Sequence, residues 1–154
     1  LVRTDSGCET GQMFLDKTCD CRDQLHEAMK IISLYGEGIV VNIPEQDGRG
    51  KGLPFKLGTL HLQEQLGVNT VEAAVLMDST TSIDIRTYSG VIAVLKFLGV
   101  RDGVIDLATN NPLKKNVFVE NGYDLSTIPL VVPSSEHTAH HYAAKKAYLG
   151  HNAL

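Results

Sequence analysis

Residues 104–122, VIDLATNNPLKKNVFVENG, indicate the fold more clearly than any other stretch of this chain. The run VIDLA predicts a buried strand, the TNNP that follows predicts a turn, and the remainder predicts a helix that Gly122 ends. A strand that leads through a turn into a helix is typical of βαβ units. In parallel sheets built from such units, ligands bind at the carboxyl ends of the strands. The turn at 109–112 is therefore a candidate ligand site.

The same alternation of strand and helix continues on both sides of this stretch. Apolar residues recur at helical spacing in four further segments, residues 22–35, 53–66, 88–98 and 139–149. Short apolar, β-branched runs predict further strands at residues 38–43, 70–76 and 128–132. We expect the first of these strands to be buried. Together the segments predict an α/β fold, a three-layer α/β/α arrangement with a mixed, mainly parallel sheet, in a single domain, 1–154.

Composition excludes several classes of function. The net charge is -4, so the chain lacks the basic surface that binds DNA or RNA. No apolar run approaches the ~20 residues that a membrane-spanning helix needs, so we expect no membrane partner. The cysteines are few and odd in number, and no export signal is visible, so we expect a protein of the reducing cytoplasm. A small phosphorylated ligand is compatible with this charge, because a few local cations and backbone N–H groups can hold it.

All three cysteines, Cys8, Cys19 and Cys21, lie within one short segment, CETGQMFLDKTCDC. An odd count argues against a closed disulfide framework, and two cysteines two residues apart suit two metal ligands on one turn. Three soft ligands with an open fourth position are typical of a catalytic zinc site. Three buried core cysteines would explain the pattern equally well, because free cysteine is among the most buried residue types. Spacing alone leaves both interpretations open.

Three further motifs carry charged or anion-binding groups, and the first two of them suit the phosphates of a ligand. Residues 47–52, DGRGKG, follow a predicted strand, where glycines let backbone N–H groups approach an anion and an arginine can hold it. Residues 109–115 lie at a strand-to-helix junction, where free N–H groups attract anions and a lysine adds charge. Asp84 and Arg86 would share one side of an extended segment. Taken singly, each motif is also explained as an ordinary polar turn or a surface ion pair.

Taken together, the motifs resemble the GTP cyclohydrolase II family over about residues 3–124. The zinc frame of that family, roughly SECLTGD…RCDCG, is similar to residues 6–11 and 19–21. Its motifs RQEGRGIGL, DTVEAN and LLTNNPKK are similar to residues 45–53, 69–74 and 107–115. Several motifs in one order and near the family spacing identify the chain as a member of this family, whose zinc enzyme opens riboflavin synthesis.

The resemblance implies a role for each matching residue. Cys8, Cys19 and Cys21 would bind one zinc ion, which would activate the water that attacks the imidazole carbon of a purine. Arg86 would attack the α-phosphate and expel pyrophosphate, with Asp84 as its acidic helper. The residues that would line the nucleotide are Arg3, Gln24, Asp47, Gly48, Arg49, Thr70, Thr109 and Lys114. The family also implies Mg²⁺ on the nucleotide phosphates and a homodimer.

Several positions depart from the family pattern. Where the family has HSEC, residues 5–8 are DSGC, so a His and a Glu beside the metal ligand are replaced. The arginine before the family's QEGR motif is also replaced. Leu60 stands where family members have a catalytic tyrosine, which is tied to ring opening and formate release, and leucine forms no side-chain hydrogen bond. We also expect the chain to start after some N-terminal strands of the family domain.

These observations support three hypotheses. The first is a zinc-dependent hydrolase, similar to GTP cyclohydrolase II, that opens the base ring of a nucleotide. The second is ring opening of a uracil nucleotide, as in homologues from pyrimidine catabolism, and Asp5, Gly7 and Leu60 motivate it. The third is a catalytically inactive nucleotide-binding domain, which the lost tyrosine motivates. Asp84 and Arg86 argue against the third hypothesis, because both are present.

Overall fold

The structure is a computed structural model that describes residues 1–101 and 103–149. The strands in this part of the chain are β1 (Val2–Asp5), β2 (Ile39–Asn42), β3 (Gly103–Ala108) and β4 (Tyr123–Ile128). The helices are α1 (Glu9–Gln12), α2 (Cys21–Tyr35), α3 (Leu53–Leu66), α4 (Thr70–Met77), α5 (Ser89–Phe97), α6 (Pro112–Glu120) and α7 (Ala139–Leu149). A 3₁₀ turn, Asp47–Gly50, precedes α3. The predicted domain, 1–154, extends past the described residues at its C-terminal end.

The four strands form one sheet in the order β2–β1–β3–β4, and every neighbouring pair is parallel. This confirms the predicted α/β fold with a mainly parallel sheet. Val2 of β1 lies opposite Leu107 of β3, near the end of that strand. The C-terminal half of β1 therefore runs beside the turn that follows β3. Residues of both segments meet at one edge of the sheet.

Helices pack on both faces of the sheet, which gives the three predicted layers. Leu107 and Ala108 are neighbours on β3 and therefore point to opposite faces. Leu107 packs in a core with Leu95 of α5 and Phe118 of α6. Ala108 packs in a second, smaller core with Ala28 of α2. Within residues 1–101 and 103–149, no helix is both long enough and apolar enough to cross a membrane.

The predicted strand at 70–76 is wrong, because this segment is the helix α4. Asn69 caps the helix: its side chain accepts hydrogen bonds from Val71 N at 2.8 Å and Glu72 N at 3.0 Å. The Glu72 carboxylate accepts one in return from Asn69 N at 2.9 Å. A capping box satisfies N–H groups that the helix itself leaves unpaired, and this local device outweighs the strand preference of threonine and valine.

Two other strand predictions also need correction. The last strand is β4, and the predicted segment at 128–132 overlaps it only at Ile128. Pro129 cannot donate to a sheet ladder, and the Asn110 side chain instead holds Leu130 through its N–H at 3.1 Å and its carbonyl at 2.7 Å. β2 lies at an edge of the sheet, so it alternates half-buried and exposed residues and is not the buried strand expected.

The strand β1 was not predicted at all. Its sequence, VRTD, is mostly polar, yet all four residues are buried. A polar buried strand gives no hydrophobic pattern to recognise. The other predicted strand, VIDLA, and all five predicted helices agree with the structure to within one or two residues.

Candidate active site

A cleft lies at the carboxyl ends of β1 and β3. It collects side chains from segments that are far apart in sequence, including the loop after β1, the start of α2, the glycine-rich turn and the turn after β3. In open parallel sheets this edge is where ligands bind. The cleft is therefore the candidate active site.

Cys8, Cys19 and Cys21, which we call the cysteine cluster, come together in the wall of this cleft. Their Sγ atoms all lie within 4.8 Å of one another, and those of Cys8 and Cys19 are 3.8 Å apart. All three are free thiols. Cys8 precedes α1 and Cys21 begins α2, so helix starts fix both positions. This convergence favours ligands of one shared ion over three independent core residues.

Gly11 leaves the space that a metal ion in the cysteine cluster would need. A Cβ atom at Gly11 would lie 2.7 Å from Cys19 Sγ and 3.3 Å from Cys8 Sγ, so any larger residue would displace the sulfurs. Three thiolates are soft ligands that suit zinc and leave a fourth coordination position open. The donor set and the space beside it both fit a catalytic zinc ion.

Lys56, on α3, contacts the cysteine cluster directly. Its Nζ donates a 2.8 Å hydrogen bond to Cys8 Sγ and lies 3.3 Å from Asp47 Oδ1. Burial lowers the pKa of Lys56, but the three cysteines raise it by more, so the ammonium form is favoured. Hydrogen bonds from Cys19 and Cys21 hold the pKa of Cys8 far below that of a free thiol. Lys56 is thus a cation paired with a thiolate.

Asp47 forms an ion pair with Lys56. It is buried, its Oδ2 accepts a 3.0 Å hydrogen bond from Glu9 N, and its Oδ1 faces Lys56. Among the described residues it lines a second depression and not the main cleft. Its neighbours Gly48 and Arg49 do line the main cleft.

The glycine-rich turn directs Arg49 into the cleft. Gly48 and Arg49 both have positive φ angles, 58° and 60°. Arg49 is strained there, since a left-handed backbone is uncommon outside glycine, and such strain clusters at functional sites. Its guanidinium donates to Thr70 O at 3.2 Å and Thr70 Oγ1 at 3.1 Å. The turn is therefore fixed to the start of α4, where Thr70 also lines the cleft.

Arg86 reaches the cleft from the segment before α5 and pairs with Asp84, as their spacing predicted. The guanidinium Nε donates to Asp84 Oδ1 at 2.9 Å, and a second nitrogen donates to Oδ2. Burial lowers the pKa of Arg86, but Asp84 raises it by more. Burial likewise raises the pKa of Asp84, and Arg86 lowers it by more. Both groups are therefore charged.

Lys114, on α6, is buried behind the turn that follows β3. Its Nζ donates a 2.6 Å hydrogen bond to Thr4 O and lies 5.5 Å from the centre of the Tyr88 ring. Burial, followed by repulsion from Arg3 and Arg86, holds the pKa of Lys114 well below its usual value. We call Arg3, Arg86 and Lys114 the cation cluster.

Arg3, on β1, completes the cation cluster. Its guanidinium donates to Ala108 O and to Gln24 Oε1, both at 3.3 Å, and lies 3.5 Å from Asp5 Oδ1. Its Nε is buried without a hydrogen-bond partner among the residues described. Thr109 stands beside it at the end of β3, where its Oγ1 accepts a 3.1 Å hydrogen bond from Asn111 N. Hydrogen-bond donors therefore outnumber hydrogen-bond acceptors in this part of the cleft.

Comparison with known proteins places this architecture in a family. The family model for GTP cyclohydrolase II matches residues 1–129. The chain belongs to the GTP cyclohydrolase II family. It is 37% identical over 152 residues to GTP cyclohydrolase-2 of Neisseria meningitidis, covering 98% of this chain and 74% of that protein. It is 34% identical over 151 residues to GTP cyclohydrolase-2 of Picrophilus torridus, covering 97% of this chain and 76% of that protein.

Longer relatives match as well. The chain is 36% identical over 155 residues to the riboflavin biosynthesis protein RibBA of Cytophaga hutchinsonii. The match covers 100% of this chain but only 37% of that relative, so the chain spans little more than a third of its length. The chain therefore corresponds to one part of these longer proteins.

All but two of the residues that the family resemblance assigned to the site line the cleft. The exceptions are Asp47 and Asp84, and each forms an ion pair with a residue that does line the cleft: Asp47 with Lys56, and Asp84 with Arg86. Leu60, at the family's tyrosine position, is half-buried on α3. It is not among the described residues that line the cleft, whereas its neighbour Thr59 is.

Several lining residues were missed in the sequence. The most important is Lys56, which bonds to Cys8. Gln12, Asn110 and Asn111 also line the cleft. The asparagines lie in the TNNP turn, so the resemblance to LLTNNPKK could have indicated them. Lys56 is 48 residues from Cys8, and only the fold brings the two together.

Proposed function

We propose that this chain is a zinc-dependent hydrolase that opens the base ring of a nucleotide, with GTP as the substrate, as a step of riboflavin biosynthesis. The observation that carries the proposal is the single cleft that holds both a three-thiol cluster and a cluster of buried cations. The first suits a catalytic metal and the second suits phosphates. Membership of the GTP cyclohydrolase II family supports GTP as the nucleotide.

Cys8, Cys19 and Cys21 would hold one zinc ion per chain. Zinc in such a site supplies Lewis acidity, which polarises a bound group and makes water a nucleophile near neutral pH. The surrounding residues restrict the site: Gly11 keeps one side open, and Lys56 holds the Cys8 thiolate. The ring to be opened would lie against this part of the cleft.

The phosphates would lie against the cation cluster. Lys114 and Arg3 are buried and short of acceptors, so a phosphate would relieve their mutual repulsion. Thr109 adds a hydroxyl at the N-terminal side of α6. Mg²⁺ would accompany the phosphates, as it commonly does with nucleotides. Between the two clusters, Gln24, Gly48, Arg49 and Thr70 would contact the rest of the nucleotide, while Asp47 would act through Lys56.

Arg86 and Asp84 would act on the α-phosphate. A guanidinium bonded to a carboxylate through two hydrogen bonds is a cation, so its first role is to hold phosphate charge. An attack by an Arg86 nitrogen on the α-phosphorus would form an N–P bond as the P–O bond to pyrophosphate breaks, and the proton lost from the guanidinium would pass to Asp84, the base in contact with it. The pair would therefore combine phosphate binding with a route for that proton.

We also propose that residues 1–154 form one domain of a cytoplasmic homodimer. Three free thiols suit a reducing compartment. Large apolar side chains are exposed on several elements, among them Leu34 and Phe97, each 89% exposed. A second copy would cover such surface. Light scattering on the purified chain tests the dimer directly.

The proposal is tested by mass spectrometry of products after the zinc-loaded chain is incubated with purine and pyrimidine nucleotides and Mg²⁺. We expect a ring-opened product from GTP. A product one water heavier than the nucleotide, with formate retained, would show that Leu60 stops the reaction early. Leu60→Tyr should then release formate, whereas Leu57→Tyr, on an exposed position of the same helix, should not.

Two other results would overturn the proposal in different ways. Ring opening of a uridine nucleotide alone would mean that the cleft serves pyrimidine breakdown. No turnover of any nucleotide, with zinc shown to be bound, would mean a nucleotide-binding domain without catalysis.

A further inference from the structure

We propose that Lys56 is a positioning residue of the metal site: its ammonium, held by Asp47, donates to Cys8 Sγ and limits how strongly that thiolate donates to the metal. The inference rests on the proposed function, because it concerns the metal that the cysteine cluster would hold. It assigns a specific chemical effect to the contact between the Lys56 ammonium and the Cys8 thiolate.

The geometry fixes Lys56 in place. Its side chain is only 14% exposed, and that of Asp47 is 1% exposed. Asp47 is itself held by Glu9 N at 3.0 Å, just after Cys8 in sequence. The ammonium therefore lies between a carboxylate oxygen at 3.3 Å and a sulfur at 2.8 Å. The hydrogen bond to the Cys8 sulfur and the ion pair with Asp47 together favour this one orientation of the Lys56 side chain.

Charge explains why a cation is needed at this position. Three thiolates and a divalent ion leave one net negative charge, and burying an uncompensated charge is costly. The Lys56 ammonium offsets that charge at Cys8. A hydrogen bond to a ligating sulfur draws electron density away from the metal, and such contacts tune metal sites. A metal ion held there would consequently be a stronger Lewis acid than it would be with three thiolates that lack this hydrogen bond.

Cobalt substitution measures this effect without turnover. Co²⁺ bound to thiolates absorbs light through transfer of an electron from sulfur to the metal. The ammonium stabilises the sulfur electrons, so its removal lowers the energy of this transition. We expect Lys56→Met to move the absorption band to longer wavelength and Lys56→Arg to leave it near the wild-type position. Lys56→Gln, which keeps a donor but no charge, should lie between them.

Lys30→Met is the matched control. Lys30 lies on α2 and its side chain is 72% exposed; among the residues that the structure describes, it pairs only with the surface residue Glu27. Its cobalt spectrum should be identical to that of the wild type. Asp47→Asn is a second test variant. Its amide oxygen can still accept a hydrogen bond from Glu9 N, but the negative charge that holds Lys56 is lost. We expect it to shift the band in the same direction as Lys56→Met, by a smaller amount.

Kinetics of the zinc-loaded variants separate a positioning role from substrate binding. We expect Lys56→Met to lower kcat by about 10- to 100-fold, as is typical for partners of metal ligands, with KM little changed. A rise in KM with kcat unchanged would instead make Lys56 a ligand of the nucleotide and overturn the inference.

The spectra also distinguish failure of this inference from failure of the proposed function. Identical cobalt bands in wild type and Lys56→Met, with GTP turnover intact in the wild type, would overturn only the role of Lys56. A wild-type chain that binds neither cobalt nor zinc would overturn both. Loss of metal from Lys56→Met alone, with unchanged circular dichroism and normal binding by Lys56→Arg, would overturn the inference, because the charge would then hold the cluster together and not limit the donation of Cys8.

Discussion

The cysteine cluster and the cation cluster share one cleft but have opposite electrostatics. The cysteine cluster holds the Cys8 thiolate, whose pKa is lowered, and the chain supplies a counter-ion, Lys56, at 2.8 Å from Cys8. The cation cluster concentrates positive charge, and Asp5 and Asp84 offset only part of it, since the pKa of Lys114 is still far below normal. The chain itself therefore balances most of the charge of the cysteine cluster, whereas an anionic ligand must balance the charge of the cation cluster. This difference predicts that the two can be disabled separately.

Cys19→Ala should have the largest effect. It removes one of three ligands, so we expect zinc content to fall from one per chain to none and turnover to fall to background. Binding of a non-hydrolysable GTP analogue should change little, because the cation cluster is intact. Atomic absorption and titration calorimetry measure the two properties. Loss of analogue binding in a folded variant would show that the clusters are not independent.

Lys114→Met should produce the opposite pattern. A hydrogen bond to a charged group contributes about 1.5–3 kcal/mol, which corresponds to about 10- to 150-fold weaker nucleotide binding. Zinc content should not change. The ligand-free variant should melt at a higher temperature, because a buried methionine carries no charge that burial must neutralise.

Lys115→Met is the control for this change. Lys115 is the next residue of α6, and it is not among the described residues that line the cleft. We expect its nucleotide affinity and melting temperature to stay near the wild-type values. Equal losses in both variants would mean that the positive charge of α6 as a whole attracts the nucleotide, without a specific role for Lys114.

The two clusters also differ in how far the sequence predicts them. The sequence predicted that the three cysteines lie together, and their Sγ atoms do lie within 4.8 Å of one another, because the short segment between Cys8 and Cys21 limits how far apart they can be. The strand-to-turn-to-helix stretch around Thr109 also predicted the place of Lys114, one member of the cation cluster. In βαβ units such a turn lies at the edge of the sheet where ligands bind.

Contacts between distant segments could not be predicted in this way. Lys56 meets Cys8 only because α3 packs against the loop after β1. Strand β1 carries Arg3 and Asp5, and its polar sequence hides the strand. The capping box at Asn69 likewise decided α4 through side-chain hydrogen bonds that hydrophobic periodicity does not register. Hydrophobic periodicity predicts which face of a helix or strand is buried, but not which buried polar side chains contact one another.

Gly11→Ala tests how closely the cysteine cluster is packed. The added Cβ would lie 2.7 Å from Cys19 Sγ, so the sulfurs must move apart. Overpacking typically costs about 1–3 kcal/mol, which corresponds to roughly one to two orders of magnitude in zinc affinity. Competition with a zinc chelator measures this loss.

Gly90→Ala is the matched glycine control. Gly90 lies in α5, and a Cβ there meets nothing within 4 Å. Alanine favours a helix over glycine by about 0.5–1 kcal/mol, so this variant should be slightly more stable and bind zinc normally. Unchanged zinc affinity in Gly11→Ala would mean that the metal site is roomier than the sulfur positions indicate.

The smallest expected effect is a pH dependence that belongs to the cation cluster alone. Burial and two neighbouring cations lower the pKa of Lys114 below the ordinary value of about 10.4. The charged groups around it come from several elements: Arg3 and Asp5 of β1, Cys21 of α2, and Arg86 before α5. A bound phosphate favours the ammonium, so binding takes up a proton once pH exceeds the pKa of Lys114 in the free chain. Nucleotide affinity should therefore fall as pH rises, by at most about tenfold per pH unit.

Lys114→Arg should flatten this profile, because a guanidinium keeps its charge at every pH in the range. Calorimetry above about pH 7.5 isolates the effect, since the nucleotide phosphates are then fully ionised. Zinc content, measured on the same samples, should not fall as pH rises. The cysteine cluster binds metal as thiolates, and high pH favours the thiolate form. An unchanged slope in Lys114→Arg would assign the proton to another group and would remove the main electrostatic difference between the two clusters.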